Sequence, residues 1–129
     1  MARRSNDSCR TPEWLYRALD AEFAFDLDPC PLAARPQFDG LALDWTGRRV
    51  FCNPPYSAIL PWVRKALNSA ALVVFLIPKR FDALWCRMLR DAKAEIRIFE
   101  RDVKFESSGR VLKPIGGSML AIVRRLDRL

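Results

Sequence analysis

The chain has 129 residues, half of them apolar, with 22 basic against 15 acidic side chains and no histidine. That length holds one domain with a real core, and the absence of histidine excludes Ser-His-Asp triads, Cys-His pairs and histidine-ligated metal centres. Arginine supplies 17 of the basic residues; its planar fork suits phosphate oxygens, so the net charge of +7 reads either as a nucleic-acid partner or as a basic, solubilising surface.

Residues 1–10, MARRSNDSCR, read as a flexible basic tail. No signal-type apolar stretch follows, which points to the cytoplasm; residues 11–129 read as a single domain without a linker or internal repeat. Thr11-Pro12-Glu13 predicts a helix start, with a hydroxyl cap, proline at the first helical position and an acid in the first turn. Trp14, Leu15, Ala18 and Leu19 then follow on one apolar face. FAFDLD (23–28) alternates as a strand does and stops at Pro29. From Pro29 to about Leu43 there is little periodicity. RRVFC (48–52) predicts a second strand, and Pro61-Trp62-Val63 opens a helix that turns Val63, Ala66, Leu67 and Ala70 inward. The longest apolar run, AALVVFLIP (70–78), is too short to span a membrane and fits a central strand covered on both faces. Lys79 and Arg80 follow it, placed either to meet DNA phosphate or to solvate a helix start. Phe81, Leu84, Trp85, Met88 and Leu89 keep helical spacing over 81–91. AEIRIFE and SMLAIV supply two later strands. Trp14, Trp62 and Trp85 read as core residues. The cysteines at 9, 30, 52 and 86 contain no CxxC pair and read as free thiols in a reducing compartment. The five glycines form neither GxGxxG nor a P-loop, and no bound metal is expected.

Alternating strands and helices argue for an α/β sandwich with a mostly parallel sheet. Ligands in such sheets lie beyond the carboxyl ends of the strands. Two strands end there in chemically distinctive ways, LDPC (27–30) and NPPY (53–56). The second is odd: two prolines remove two backbone donors and fix two φ angles just where a strand stops.

Asn53-Pro54-Pro55-Tyr56 is the amino-methyltransferase motif. With TPEWLYRALDAEFAFDLDPC, DGLALDW, VFCNPPYS, PWVRKA and VVFLIP in that order, the chain resembles the phage-type DNA N-6-adenine methyltransferase (Dam) family over nearly all of residues 11–123. The resemblance implies a compact, Rossmann-like methyltransferase fold with helices on both faces of the sheet, and S-adenosylmethionine as cofactor. It implies that the Asn53 side-chain oxygen and the Pro54 carbonyl hold the adenine amine, that Pro55 stiffens the turn, and that Tyr56 stacks on a base turned out of the helix. Asp28, with Pro29 and Cys30, resembles the loop that receives the methionine ammonium group. Thr11 and Pro12 match a segment at the methionine carboxylate, and Asp44-Trp45 falls where relatives meet the cofactor adenine, with Asp39 a further candidate there. The sequence departs from the larger adenine methyltransferases in lacking their FxGxG glycines and a target-recognition domain. That implies DNA binding through phosphates with low sequence specificity, by a monomer or homodimer, in a phage or prophage protein of the host cytoplasm. Two other readings share the motif: an amino-methyltransferase acting on RNA or a protein glutamine amide, and an inactive DNA-binding module.

Overall fold

The computed structural model describes residues 11–30, 39–69, 71–99, 105–107, 110–112 and 117–124. The tail 1–10, most of the proline-rich stretch after Cys30 and much of the segment between the last two expected strands lie outside the described residues. Helix α1 spans Glu13–Phe23, and strand β1 spans Arg49–Cys52. Helix α2 (Leu60–Leu67), strand β2 (Leu72–Pro78), helix α3 (Leu84–Asp91) and strand β3 (Glu95–Ile98) follow in alternation. A short hairpin, β4 (Phe105–Ser107) with β5 (Arg110–Leu112), precedes strand β6 (Ser118–Val123).

The main sheet has the order β1-β2-β6-β3. Beta1 and β2 are parallel, whereas β6 runs antiparallel to both of its neighbours, β2 and β3. The α/β class holds, but the pairing is mixed rather than mostly parallel. The reason lies in the connections. Helices α2 and α3 each return the chain so that the next strand keeps its direction, whereas no helix is described between β3 and β6. Beta2 has a partner on each side and is buried from Val73 to Pro78, as expected of a strand covered on both faces.

FAFDLD does not form the strand that its alternation predicts. Helix α1 runs on through Phe23 and ends at Ala24, whose φ of 53° is left-handed. The Asp20 carboxylate then accepts from the Phe25 amide at 2.9 Å. Only a single parallel bridge, Leu27 to Val50, joins the next stretch to β1. The start of α1 also differs from expectation. Pro12 is the N-cap and no side chain caps the helix, so the Thr11 hydroxyl is left for another partner.

Helix α1 crosses one face of the sheet from end to end. Leu15, Leu19 and Phe23 form its buried stripe, while Trp14, expected in the core, is 62% exposed. Tyr16 meets Phe51 of β1 edge-on, with ring centroids 5.2 Å apart. At the far end Glu22 takes both amino groups of Arg97 on β3, at 2.8 and 2.7 Å, and the guanidinium also lies over the Phe23 ring. Alpha3 begins at Leu84, not at Phe81, because residues 78–83 fold as turns: Arg80 N–H donates to the Pro78 carbonyl and Ala83 N–H to that of Arg80. Phe81 and Leu84 are consequently exposed, and the stripe that packs inward is Cys86 and Leu89, flanked by half-buried Trp85 and Met88.

Candidate active site

Residues at the carboxyl end of β1 gather with those at the start of α1. Asn53, one residue beyond β1, donates through Nδ2 to the Thr11 hydroxyl at 3.0 Å. That bond engages the nitrogen end of the amide and directs Oδ1 away from Thr11, leaving it as an acceptor. The following carbonyls differ in their use. Pro55 accepts from Ala58 N–H at 3.0 Å, which closes the turn, whereas the Pro54 carbonyl accepts no hydrogen bond among the described residues. Two acceptors, the Asn53 amide oxygen and the Pro54 carbonyl, thus sit on adjacent residues of a stiff segment.

Asp28 joins this rim from the neighbouring stretch. The bridge of Leu27 to Val50 and the bond from Phe51 N–H to the Leu27 carbonyl, 3.0 Å long, lay residues 25–28 alongside β1. The Asp28 carboxylate accepts from Cys30 N–H at 3.1 Å and ion-pairs with no cation among the described residues. Burial raises its pKa to about 6, against the lowering effect of that hydrogen bond. The Tyr16 hydroxyl is also pushed up, by its own burial first and then by Asp20 and Asp28. The Cys52 thiol, fully buried, is raised for the same reasons, with Cys30 and Asp28 adding to its desolvation. Tyr16 is the member of this group that motif reading misses: it lies within TPEWLYRALDAEFAFDLDPC, where the resemblance implies no role for it, and only packing brings it to Asp28. Among the described residues Cys30, Cys52 and Cys86 form no disulfide.

The DGLALDW segment divides into a structural half and an exposed acid. Asp39 caps the single 3-10 turn Gly40–Ala42 by accepting from Leu41 N–H at 3.0 Å. Gly40 lies against Pro29, so close that an added Cβ would meet the Pro29 carbonyl oxygen at 1.8 Å. Trp45, a candidate for the cofactor, is fully buried instead. Its indole N–H donates to the Gly40 carbonyl at 3.0 Å and its ring packs near Trp62, at 6.3 Å. A side chain so enclosed holds the loop under Pro29 and offers no surface to a ligand. Asp44 is exposed and accepts from Thr46 N–H at 2.9 Å, which holds its carboxyl below the usual range. Pro12 and Pro54 are buried, and Tyr56 is 8% exposed with its ring in the core cluster.

The structure therefore brings Thr11, Asp28, Asn53 and Pro54 to one end of the sheet and encloses Trp45 against the Gly40 turn.

A family model described as DNA N-6-adenine-methyltransferase (Dam) matches residues 1–127. A DNA N-6-adenine-methyltransferase of Haemophilus phage HP1 (strain HP1c1) is 30% identical over 118 residues, covering 80% of this chain and 68% of that protein. No solved structure matches the chain.

Proposed function

The chain belongs to the DNA N-6-adenine-methyltransferase (Dam) family, an enzyme that methylates the exocyclic N6 amine of adenine in DNA, and from that premise we propose how its own residues carry out the transfer. The exocyclic amine is a weak nucleophile because its lone pair is delocalised into the ring. Asn53 Oδ1 and the Pro54 carbonyl accept its two hydrogens and favour the geometry in which the lone pair is free to attack. The prolines hold these acceptors in place before the substrate arrives, so little reorganisation is left to the reaction. Tyr56, 8% exposed, is assigned the floor of the base pocket. The observation that carries this reading is the bond from Asn53 to Thr11, which fixes the amide with its oxygen outward.

S-adenosylmethionine, when bound, supplies the sulfonium methyl. The fit of this chain to it rests on Asp28, a mostly buried carboxyl without a cation among the described residues, suited to an ammonium group. We assign Pro29 and Cys30 to that loop, Thr11 and Pro12 to the methionine carboxylate end, and Asp44 to accept from the cofactor's adenine amino group. Strands β1, β2 and β3 run in one direction and β2 is covered on both faces, which supports a Rossmann-like methyltransferase core with helices on both sides. Among the described residues no helix is long and apolar enough to cross a membrane. We place the enzyme in the host cytoplasm as a phage or prophage protein, acting as a monomer or homodimer with low sequence specificity.

Titration with S-adenosylmethionine followed by labelled transfer to adenine-containing DNA tests the reading. Saturable binding with label on adenine is expected; label on RNA or protein, with none on DNA, would overturn it.

Two predictions concern the pair that frames the site. Asp28 has a raised pKa, so the folded state keeps its proton up to about pH 6 while the unfolded chain loses it near the ordinary aspartate value of 3.8. Its burial costs nothing below the lower value, destabilises progressively as pH rises between the two, and costs on the order of 3 kcal/mol at neutral pH. Asp28→Asn is therefore expected to raise Tm at pH 7 but not at pH 4, while cofactor affinity is lost. In the wild type, cofactor affinity should increase from pH 5 to pH 7. A calorimetric titration that finds Asp28→Asn binding the cofactor as tightly as the wild type would refute the role. Thr11→Val removes the partner of the Asn53 amide and should lower kcat about tenfold, a loss of roughly one hydrogen bond's worth, while Thr11→Ser retains most of the rate. Equal rates for the valine and serine variants in single-turnover assays would show that the hydroxyl does not orient Asn53.

A further inference from the structure

Beside Asn53, at the end of β2, lies a turn that none of these roles uses. Beta1 and β2 are parallel and in register, Cys52 opposite Phe75. Asn53 is thus level with Leu76, and Lys79 begins three residues further along the adjacent strand, on the order of 10 Å away. The turn is built rather than loose. Lys79 N–H donates to the Gly117 carbonyl at 3.4 Å, Arg80 N–H to Pro78 at 3.0 Å, and Arg90 reaches across from α3 to the Phe81 carbonyl at 2.7 Å. What it presents outward is the exposed guanidinium of Arg80, the half-buried Lys79, and the rings and branches of Phe81 and Leu84, which are 45% and 48% exposed.

Arg17, Arg48, Arg49, Arg90, Arg97 and Arg124 each donate to a carboxylate or carbonyl of the protein itself, while exposed Arg64 on α2 and Arg87 on α3 make no side-chain hydrogen bond or ion pair among the described residues. What sets this turn apart is its place beyond the end of β2, on the strand next to the one that leads into Asn53. The side chains of Lys79 and Arg80 have no hydrogen bond or ion pair among the described residues, although exposed Asp82 is two residues from Arg80. Two uncommitted cations and an exposed aromatic, on the order of 10 Å from the acceptors for the target amine, match a polyanion with stacked rings.

Resting on the functional reading above, we propose that the turn Lys79–Leu84 is the docking element for the DNA strand flanking the extruded adenine. Lys79 and Arg80 hold phosphates next to the target nucleotide, and Phe81 packs against the base or sugar exposed when that nucleotide leaves the stack. Leu84 widens the apolar part of the contact.

The test is the salt dependence of affinity for a short fluorescein-labelled, adenine-containing duplex, read by anisotropy without cofactor. Lys79→Ala/Arg80→Ala should weaken binding about tenfold near 0.1 M salt and reduce the slope of log K against log salt by about two, one per lost phosphate contact. Phe81→Ala should weaken binding with the slope unchanged. Lys93→Ala, which removes an exposed charge just beyond the opposite end of α3, serves as the charge control, and circular-dichroism melts confirm that each variant folds. A double variant that keeps the wild-type affinity and slope would overturn the proposal, as would a loss of affinity and slope in Lys93→Ala as large per charge removed as that of the double variant. Either result leaves the functional reading intact if the wild type methylates adenine. A wild type that binds DNA through this turn but transfers no methyl group to it would overturn the functional reading instead.

Discussion

Asn53→Ala should lower the rate of methyl transfer to adenine by about 10²–10³-fold or more, with the affinity for S-adenosylmethionine unchanged. The magnitude is that of removing one preorganised hydrogen-bonding group aimed at a reacting centre. The alanine variant loses the Oδ1 acceptor and the tie to Thr11 together, but leaves the Pro54 carbonyl and the turn that closes on Pro55. Because Asp28 lies on a separate stretch of chain, the cofactor's ammonium partner stays in place. Asn53→Asp keeps an acceptor oxygen at the same position and should retain more of the rate than the alanine variant. Single-turnover transfer and cofactor titration on the same preparations check both parts. Wild-type transfer by Asn53→Ala would mean that the amine is held by other groups.

Gly40→Ala is expected to be strongly destabilising. The added Cβ would lie 1.8 Å from the Pro29 carbonyl oxygen, 2.6 Å from its carbon and 2.8 Å from Pro29 Cβ. Two of these three atoms are backbone, so no rotamer change relieves the overlap. The 3-10 turn cannot retreat freely either, since the Gly40 carbonyl holds the indole of fully buried Trp45. Overpacking of a well-filled site costs about 1–3 kcal/mol when side chains can yield; here the cost should reach or exceed the upper figure. The displaced element is Pro29, next to Asp28, so cofactor affinity should fall even in protein that remains folded. Thermal melts with and without cofactor measure both effects. A Gly40→Ala variant with unchanged Tm and unchanged cofactor affinity would show that the two loops do not pack as described.

How much of this could be read from the sequence varied with the kind of signal. LVVFLI identified β2 because a strand buried on both faces leaves an unbroken apolar run. The end of β1 before Asn53 was legible because two prolines cannot continue a strand. The direction of β6 was not, since SMLAIV is equally apolar read either way and only the connection before it decides the pairing. Trp14 and Leu15 both start helical apolar stripes, Trp14 with Ala18 and Leu15 with Leu19 and Phe23, and packing chose the second. Trp45 follows Asp44 directly, yet adjacency in sequence carries no information about which side chain turns inward; one lies at the surface and the other wholly inside. The strand expected over 23–28 failed because Asp20 and a left-handed Ala24 end α1 later than the alternation of phenylalanines suggests.

The place of β6 bears on how the protein is made. Among the described residues β3 pairs only with β6, yet β6 follows it in the chain and slots between β2 and β3. On the ribosome, β1, α2, β2 and α3 can assemble as they emerge, but β3 has no neighbour to bond until the residues from Ser118 onward have been synthesised. Val73 must then find Val123 across the whole intervening segment, the kind of distant pairing that slows folding. Until that insertion, one margin of β2 keeps its backbone donors and acceptors unpaired, open to pairing with another chain.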